Sequence, residues 1–98
     1  MTDVLIRDAA YADLESIWLK GAERWGIDHA VAYETAMFDL FDLLAANPLM
    51  SRARNRAEPP LRVHPFRAHL ILYQALPDDN GIEVVRVVHR HADLRRLS

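Results

Sequence analysis

The sequence predicts an α+β layer fold: an N-terminal strand, an antiparallel helical hairpin packed on a small antiparallel sheet, and a short C-terminal helix. Three observations predict it. A short β-branched run opens the chain. Apolar residues then recur at helical spacing through the first half, and in strand-like runs through the second. Helices first and strands later, in a chain of 98 residues, indicate an α+β rather than an alternating architecture. The length suits one domain, residues 1–98, and no repeat or low-complexity tract divides it. Such a chain buries roughly two thirds of the surface its unfolded form exposes, so a core is possible without staples.

"DVLIRD" reads as the first strand. In "DAAYADLESIWLKGAERWG", Leu14, Ile17, Trp18, Gly21 and Trp25 recur at helical spacing. Asp8 is placed to cap that helix, and Gly26 stands where a glycine ends one. "IDHAVAYETAMFDLFDLLAANP" follows, with Asp28 as its expected N-cap and Tyr33, Met37, Leu40, Phe41 and Leu44 as one apolar stripe. Asn47-Pro48 ends it, because the residue before proline avoids helical geometry. A link as short as "WGID" makes the two helices antiparallel neighbours.

"LMSRARNRAEPP" is polar and basic and reads as a loop. "LRVHPF" and "RAHLILYQAL" read as two strands turning near Pro65-Phe66-Arg67. "PDDNG" is a turn, with Asn80-Gly81 suited to positive φ. "IEVVRVVHR" is the last strand, and its near-continuous valines predict a central place buried on both faces. "ADLRRL" closes the chain as a short helix, with Asp93 placed to cap it and Leu94 and Leu97 to tuck it back.

Composition narrows the chemistry. No cysteine is present, so disulfides, thiol nucleophiles and cysteine-held zinc are excluded. Net charge is −2, with most acids before residue 51 and most arginines after it. That basic second half suits an acidic partner or phosphate, although arginine in place of lysine also follows from genomic composition. No glycine-rich phosphate loop or serine nucleophile motif appears. The start, "MTDVLIRDAA", is neither a signal peptide nor a membrane anchor. His89 and His91 would share a strand face, but no third ligand is spaced to complete a metal site. His29, His64 and His69 read as surface or core histidines. No cofactor is expected.

A metal-free ribonuclease would need a base, an acid and cations for the phosphorane. His89, His91, Arg86, Arg90 and Tyr73 include those groups. The net acidic charge opposes RNA affinity, and Trp18, Tyr33 and Phe41 fall on apolar helix stripes rather than on a base-stacking surface. Arg86, beside Val85 and Val87, suits an acid or a backbone carbonyl as its partner. His89, Arg90 and Asp93 are expected past the sheet, where solvent reaches them.

Nearly the whole chain resembles one family. The matching phrases are "AAYADLESIW", "RWGIDHAVAYETAMFDLFDLLAANP", "LRVHPFRAHLILY" and "IEVVRVVHRHADLRRL". Within them the family pattern falls on Asp13-Leu14, Ile17-Trp18, Trp25-Gly26, Ala30, Tyr33 and Asn47-Pro48. It continues on Arg62, His69, Tyr73, Arg86-Val87-Val88-His89 and Asp93. On these residues the sequence resembles the ParE branch of the RelE/ParE toxin superfamily.

The resemblance implies a helical hairpin on a small sheet, the fold already predicted. It implies a cytoplasmic toxin of a type II toxin–antitoxin pair that inhibits DNA gyrase, is neutralised by a ParD-like antitoxin and serves plasmid stabilisation. A hetero-oligomer with the antitoxin follows, with no sequence-specific nucleic-acid binding and no membrane. The RelE branch cuts messenger RNA on the ribosome, usually with several lysines and a middle-strand arginine. This chain has only Lys20, in its first helix, and reads His69-Leu70 where that arginine would fall. The loop after Asn47-Pro48 also lacks a glycine common in the ParE branch. A member that only pairs with an antitoxin is the third possibility. Contact candidates for target or antitoxin are Arg62, Arg67, His69, His89, Arg90, Asp93 and Arg95, with Arg90 and Arg95 preferred over Arg86. Trp18, Trp25 and Phe66 serve either an exposed docking surface or the core.

Overall fold

The computed structural model describes residues 2–96. The elements run β1 (Asp3–Ile6), α1 (Asp8–Trp25), α2 (Ile27–Ala46), β2 (Arg52–Ala53), β3 (Arg62–Phe66), β4 (His69–Ala75) and β5 (Gly81–His89). Single 3₁₀ turns lie at Pro77–Asp79 and Leu94–Arg96. The strands form one sheet in the order β1-β5-β4-β3-β2. β1 runs parallel to β5 and every other pair is antiparallel, so the sheet is mixed. The closing helix is a 3₁₀ turn, and Leu97 lies outside the described residues.

Local chemistry sets most boundaries. Gly26 (φ +96°) ends α1 and starts α2 by itself, so the helices fold back against each other. Neither Asp8 nor Asp28 is an N-cap, since Arg7 and Gly26 hold those positions without side-chain caps. Both acids sit instead in a first helical turn, where a carboxylate meets the positive end of the helix dipole. Asn47 closes α2, its Nδ2 donating to the Leu43 carbonyl at 3.1 Å. Arg67 (φ +52°) carries the tight turn between β3 and β4. In the "PDDNG" turn, positive φ falls on Asp78, Asp79 and Gly81 rather than on Asn80.

The basic loop is more ordered than its composition suggests. It contains β2, the Arg54 amide donates to the Leu61 carbonyl at 2.6 Å, and Asn55 Oδ1 accepts the amides of Ala57 and Leu61. Arg62 Nη1 donates to the Ser51 carbonyl at 2.7 Å. Side-chain hydrogen bonding thus replaces the apolar pattern that normally marks a strand.

β5 is central and both its faces are covered. Ile82, Val84 and Val87 pack with Ile71 and Tyr73 against Leu14, Met37, Phe41 and Leu44 of the hairpin. Val88 joins Leu61 and Leu72 in a smaller cluster, flanked by Val85, Ala92 and Leu94. One irregularity lets valines three apart share the helix side. Tyr73 pairs with Val84 but Leu72 pairs with Arg86, so Val85 is an extra residue that shifts the period-two phase. Each fully buried side chain of this size contributes about 1.5–3 kcal/mol.

Tyr73 is fully buried, and its hydroxyl donates to the Pro48 carbonyl at 3.1 Å. This bond ties the end of α2 to the middle of the sheet. Tyr73→Phe removes the only polar atom of that side chain and leaves the carbonyl without its partner. We expect a loss of about 1–2 kcal/mol, read from the urea unfolding midpoint at unchanged slope. An unchanged midpoint would show that the bond adds nothing net.

Beyond Ile6 the chain leaves the sheet, and β5 loses its strand partner on that side. Asp13 fills the gap from α1. Its Oδ2 accepts the Val87 amide at 2.9 Å, and its carboxylate takes two bonds from Arg86, at 2.7 and 2.9 Å. Of the two partners expected for Arg86, an acid or a backbone carbonyl, the structure has the acid. That hydrogen bond raises the Arg86 pKa further above its ordinary value, so the guanidinium stays charged throughout.

Candidate functional site

Near the Gly26 end of the hairpin, the apolar stripes of α1 and α2 extend past the cover that the sheet provides. A groove of about 290 Å³ remains there. Its apolar lining includes Leu14, Ile17, Trp18, Ala30 and Met37. Lys20 and Arg24 from α1, and Glu34 from α2, supply its charged groups.

A row of rings crosses this groove. Trp25, His29 and Tyr33 stand four residues apart, with successive centroids 5.4 and 6.2 Å apart. Tyr33 meets His69 at 5.6 Å, His69 meets His89 at 5.9 Å, and His89 meets His91 at 5.1 Å. His69 and His89 are direct register partners on β4 and β5, which is why their rings meet. His89 is thus the last residue of the sheet rather than past it. Phe66 packs edge-on against Tyr33 at 5.3 Å, and the Arg67 guanidinium lies 4.9 Å from the Phe66 ring.

Hydrogen bonds fix the imidazoles. The backbone amide of His91 donates to His89 Nδ1 at 3.2 Å, so that nitrogen must be an acceptor. His69 Nδ1 lies 2.7 Å from the Tyr33 hydroxyl. With His69 neutral and its proton on Nε2, the Tyr33 O–H donates to Nδ1. Burial, and then the nearby charge of His89, push the His69 pKa below the ordinary imidazole value. Burial pushes the Tyr33 pKa up, against the opposing pull of the Ala68 amide and Arg67. Burial thus favours the uncharged forms of His69 and Tyr33.

The contact candidates divide accordingly. Trp18, Trp25, His69 and His89 line the groove, and Trp25 is 52% exposed. Phe66 and Arg67 pack on Tyr33, a groove residue. Arg62 lies elsewhere, bonded to the Ser51 carbonyl. Arg90 is exposed, and its amide donates to the Ala68 carbonyl at 2.9 Å. Asp93 caps the final turn through the Arg95 amide at 3.1 Å, and the Arg95 side chain, 86% exposed, folds back onto the same carboxylate. That contact first, and the amide second, hold the Asp93 carboxyl below its ordinary pKa.

His29 and Tyr33 are groove residues that sequence reasoning placed on the surface or in the core. The visible signal was the four-residue spacing of Trp25, His29 and Tyr33 across the glycine. Among the described residues, no group of three or more His, Cys, Asp or Glu side chains could hold a metal ion, and no helix is long and apolar enough to cross a membrane.

A helical hairpin on a mixed sheet, with a ring-lined groove near the hairpin turn, defines a small two-layer α+β class. A solved structure described as the chromosomal ParDE TA system from P. aeruginosa has this fold. Its TM-score is 0.71 at 15% identity, over 91% of this chain and 96% of that one. The family model for the ParE toxin of the type II toxin–antitoxin system, parDE, matches residues 4–94. Toxin ParE1 of Mycobacterium tuberculosis, strain CDC 1551 / Oshkosh, is 36% identical over 92 residues, or 94% of this chain and 93% of that protein. Toxin ParE1 of Caulobacter vibrioides is 26% identical over 86 residues, covering 88% and 86%. The chain belongs to the ParE toxin family and is a type II toxin of the ParE type.

Proposed function

We propose that this toxin is held by a ParD-type antitoxin, a helix of which lies in the groove, and that it acts in the cytoplasm on DNA gyrase as a binding inhibitor without chemistry of its own. One observation carries the preference for binding over catalysis. Of the groups that a metal-free ribonuclease would draw on, Tyr73 is fully buried and Arg86 is committed to Asp13. Leu70 supports the same reading, because it packs on the small cluster with Val88 and offers nothing to a phosphate. The apolar floor suits one face of a partner helix. Arg90 and Arg95 stand on the solvent side as contact residues for the target.

The test is a gyrase supercoiling and cleavage assay with the purified chain. Lost supercoiling with accumulated cleaved DNA is expected, alongside intact messenger RNA in a ribosome-programmed reaction. Arg90→Ala should weaken inhibition about two- to fivefold, the size of one exposed ion pair. Full supercoiling at large toxin excess would refute the gyrase reading. Cut messages would return the chain to ribonuclease chemistry, and normal growth on expression without antitoxin would mark a member that only pairs.

A further inference from the structure

The proposed function leaves the hydrogen-bonded histidine pair in the groove without a role. We propose that the groove is a pH-sensitive latch, accepting an apolar partner segment only while His69 and His89 are both uncharged. The antitoxin half of this inference rests on the docking reading above.

The geometry carries it. His89 Nδ1 accepts the His91 amide at 3.2 Å, and His69 Nδ1, in its Nε2–H tautomer, accepts the Tyr33 hydroxyl at 2.7 Å. A backbone amide cannot reverse, so a proton added at His89 Nδ1 breaks that bond. A proton added at His69 Nδ1 forces the Tyr33 hydroxyl to turn away, because its oxygen must then accept. The rings are 5.9 Å apart across the β4–β5 register pair, so two imidazolium charges would repel.

The charged side chains around the pair are mostly cationic. Lys20 and Arg24 face the groove from α1, His29, Tyr33 and Glu34 from α2, and Arg67 approaches from the β3–β4 turn. His91 adds a fourth imidazole beyond β5. Glu34 is the single acid among these groups. The lowered pKa of His69 comes first from burial and then from His89.

A bound apolar segment removes water from the pair and so disfavours a proton on either ring. The sign follows. When the bound form has the lower pKa, binding is strong above the free-state pKa and weakens as pH falls through it. Acidification therefore releases the segment. A carboxylate-bearing segment seated on the pair would give the opposite sign.

The neutral fluorophore N-phenyl-1-naphthylamine tests the latch on the whole chain, without any assumption about the antitoxin. Its dissociation constant should rise roughly tenfold between about pH 7.5 and about pH 5, as expected for one linked proton. Circular dichroism at both pH values confirms that the chain stays folded. His69→Asn/His89→Asn should bind with little pH dependence, since asparagine Oδ1 stands where Nδ1 does, can accept the same bonds and does not titrate. A flat wild-type profile overturns the proposal, as does equal weakening of wild type and variant. A second arm measures a ParD-type antitoxin in complex with the chain over the same range. If the fluorophore responds to pH and the antitoxin does not, the latch stands and the groove-docking reading fails. If the antitoxin grips more tightly in acid, the latch has the wrong sign for its partner and the proposal fails.

Discussion

Gly81→Ala is expected to destabilise the protein by on the order of 3–4 kcal/mol, the largest loss for so small a change. Gly81 opens β5 at φ +120°, a conformation that side-chain-bearing residues rarely adopt. It also pairs directly with Asp3, and an added Cβ would meet the Asp3 backbone oxygen, carbon and nitrogen. A flexible side chain could move aside, but backbone cannot without shifting β1. The substitution therefore adds local strain to a loosened β1–β5 pair, with Val4 and Ile6 partly withdrawn from the core. Gly26→Ala supplies the comparison. Gly26 also has positive φ, but nothing lies within 4 Å of its added Cβ. Its cost should be conformational only, about 1–3 kcal/mol. Chemical denaturation of both variants gives the two numbers, and hydrogen exchange of the Val4–Ile6 amides reports on β1. Equal costs for both glycines would show that the Asp3 contact is easily relieved.

Asp13→Ala should follow closely, at about 2–3 kcal/mol. Three donated hydrogen bonds end on this carboxylate, two from Arg86 and one from the Val87 amide. Alanine leaves a partly buried guanidinium and a strand-edge amide unpaired together. The figure lies below that of a fully buried pair because a third of the Arg86 side chain still reaches water. Asp13→Asn should cost less, since its amide oxygen can still accept the Val87 bond. Asp13→Leu/Arg86→Met should recover much of the loss, because replacing both partners removes the stranded charge. A thermal midpoint lower by roughly 8–20 °C is expected for Asp13→Ala alone. A midpoint within about 2 °C of wild type would mean that water replaces the carboxylate at little cost.

Asp13 and Arg86 also show where sequence stops being informative. Each stands out in its own phrase, and a partner for Arg86, an acid or a backbone carbonyl, was foreseeable from its valine neighbours. The identity of that acid was not, because the residues lie 73 positions apart and only the path of α1 over the sheet joins them. Elements with strong local signals were legible: both helices, the glycine between them, the Asn47-Pro48 stop and the β3–β4 turn. The two-residue β2 was not, since its hydrogen bonds depend on Asn55 and Arg54 rather than on any apolar period. Strand direction was hidden for a related reason. Alternation of side chains does not depend on whether a neighbour runs parallel, so the β1–β5 pairing could not be read from either strand alone.

The groove was hidden in a different way. Tyr33 belongs to the same apolar stripe as Met37 and Phe41, and the stripe does not show where the sheet ceases to cover it. Phe41 is wholly buried, whereas Trp25, further toward the hairpin turn, is half exposed. Core and groove share one chemistry, and only the length of the facing strands separates them. His69 and His89 were singled out individually, but their meeting depends on the β4–β5 register, which the extra residue at Val85 helps to set.

The place of β5 in the sheet bears on how the protein is made. β5 lies between β1 and β4, although it is the last strand in the chain and β1 is the first. The hairpin can form early from local contacts, whereas β1 must wait for a partner about 78 residues downstream. At an elongation rate of roughly 5–20 residues per second, that wait lasts several seconds on the ribosome. In genetic terms, a stop codon at any position before Gly81 removes the central strand, the strand-edge amide that Asp13 holds and the His89 wall of the groove in one event. Truncations that stop before Gly81 therefore share one outcome, because the sheet then lacks the strand that joins β1 to β4.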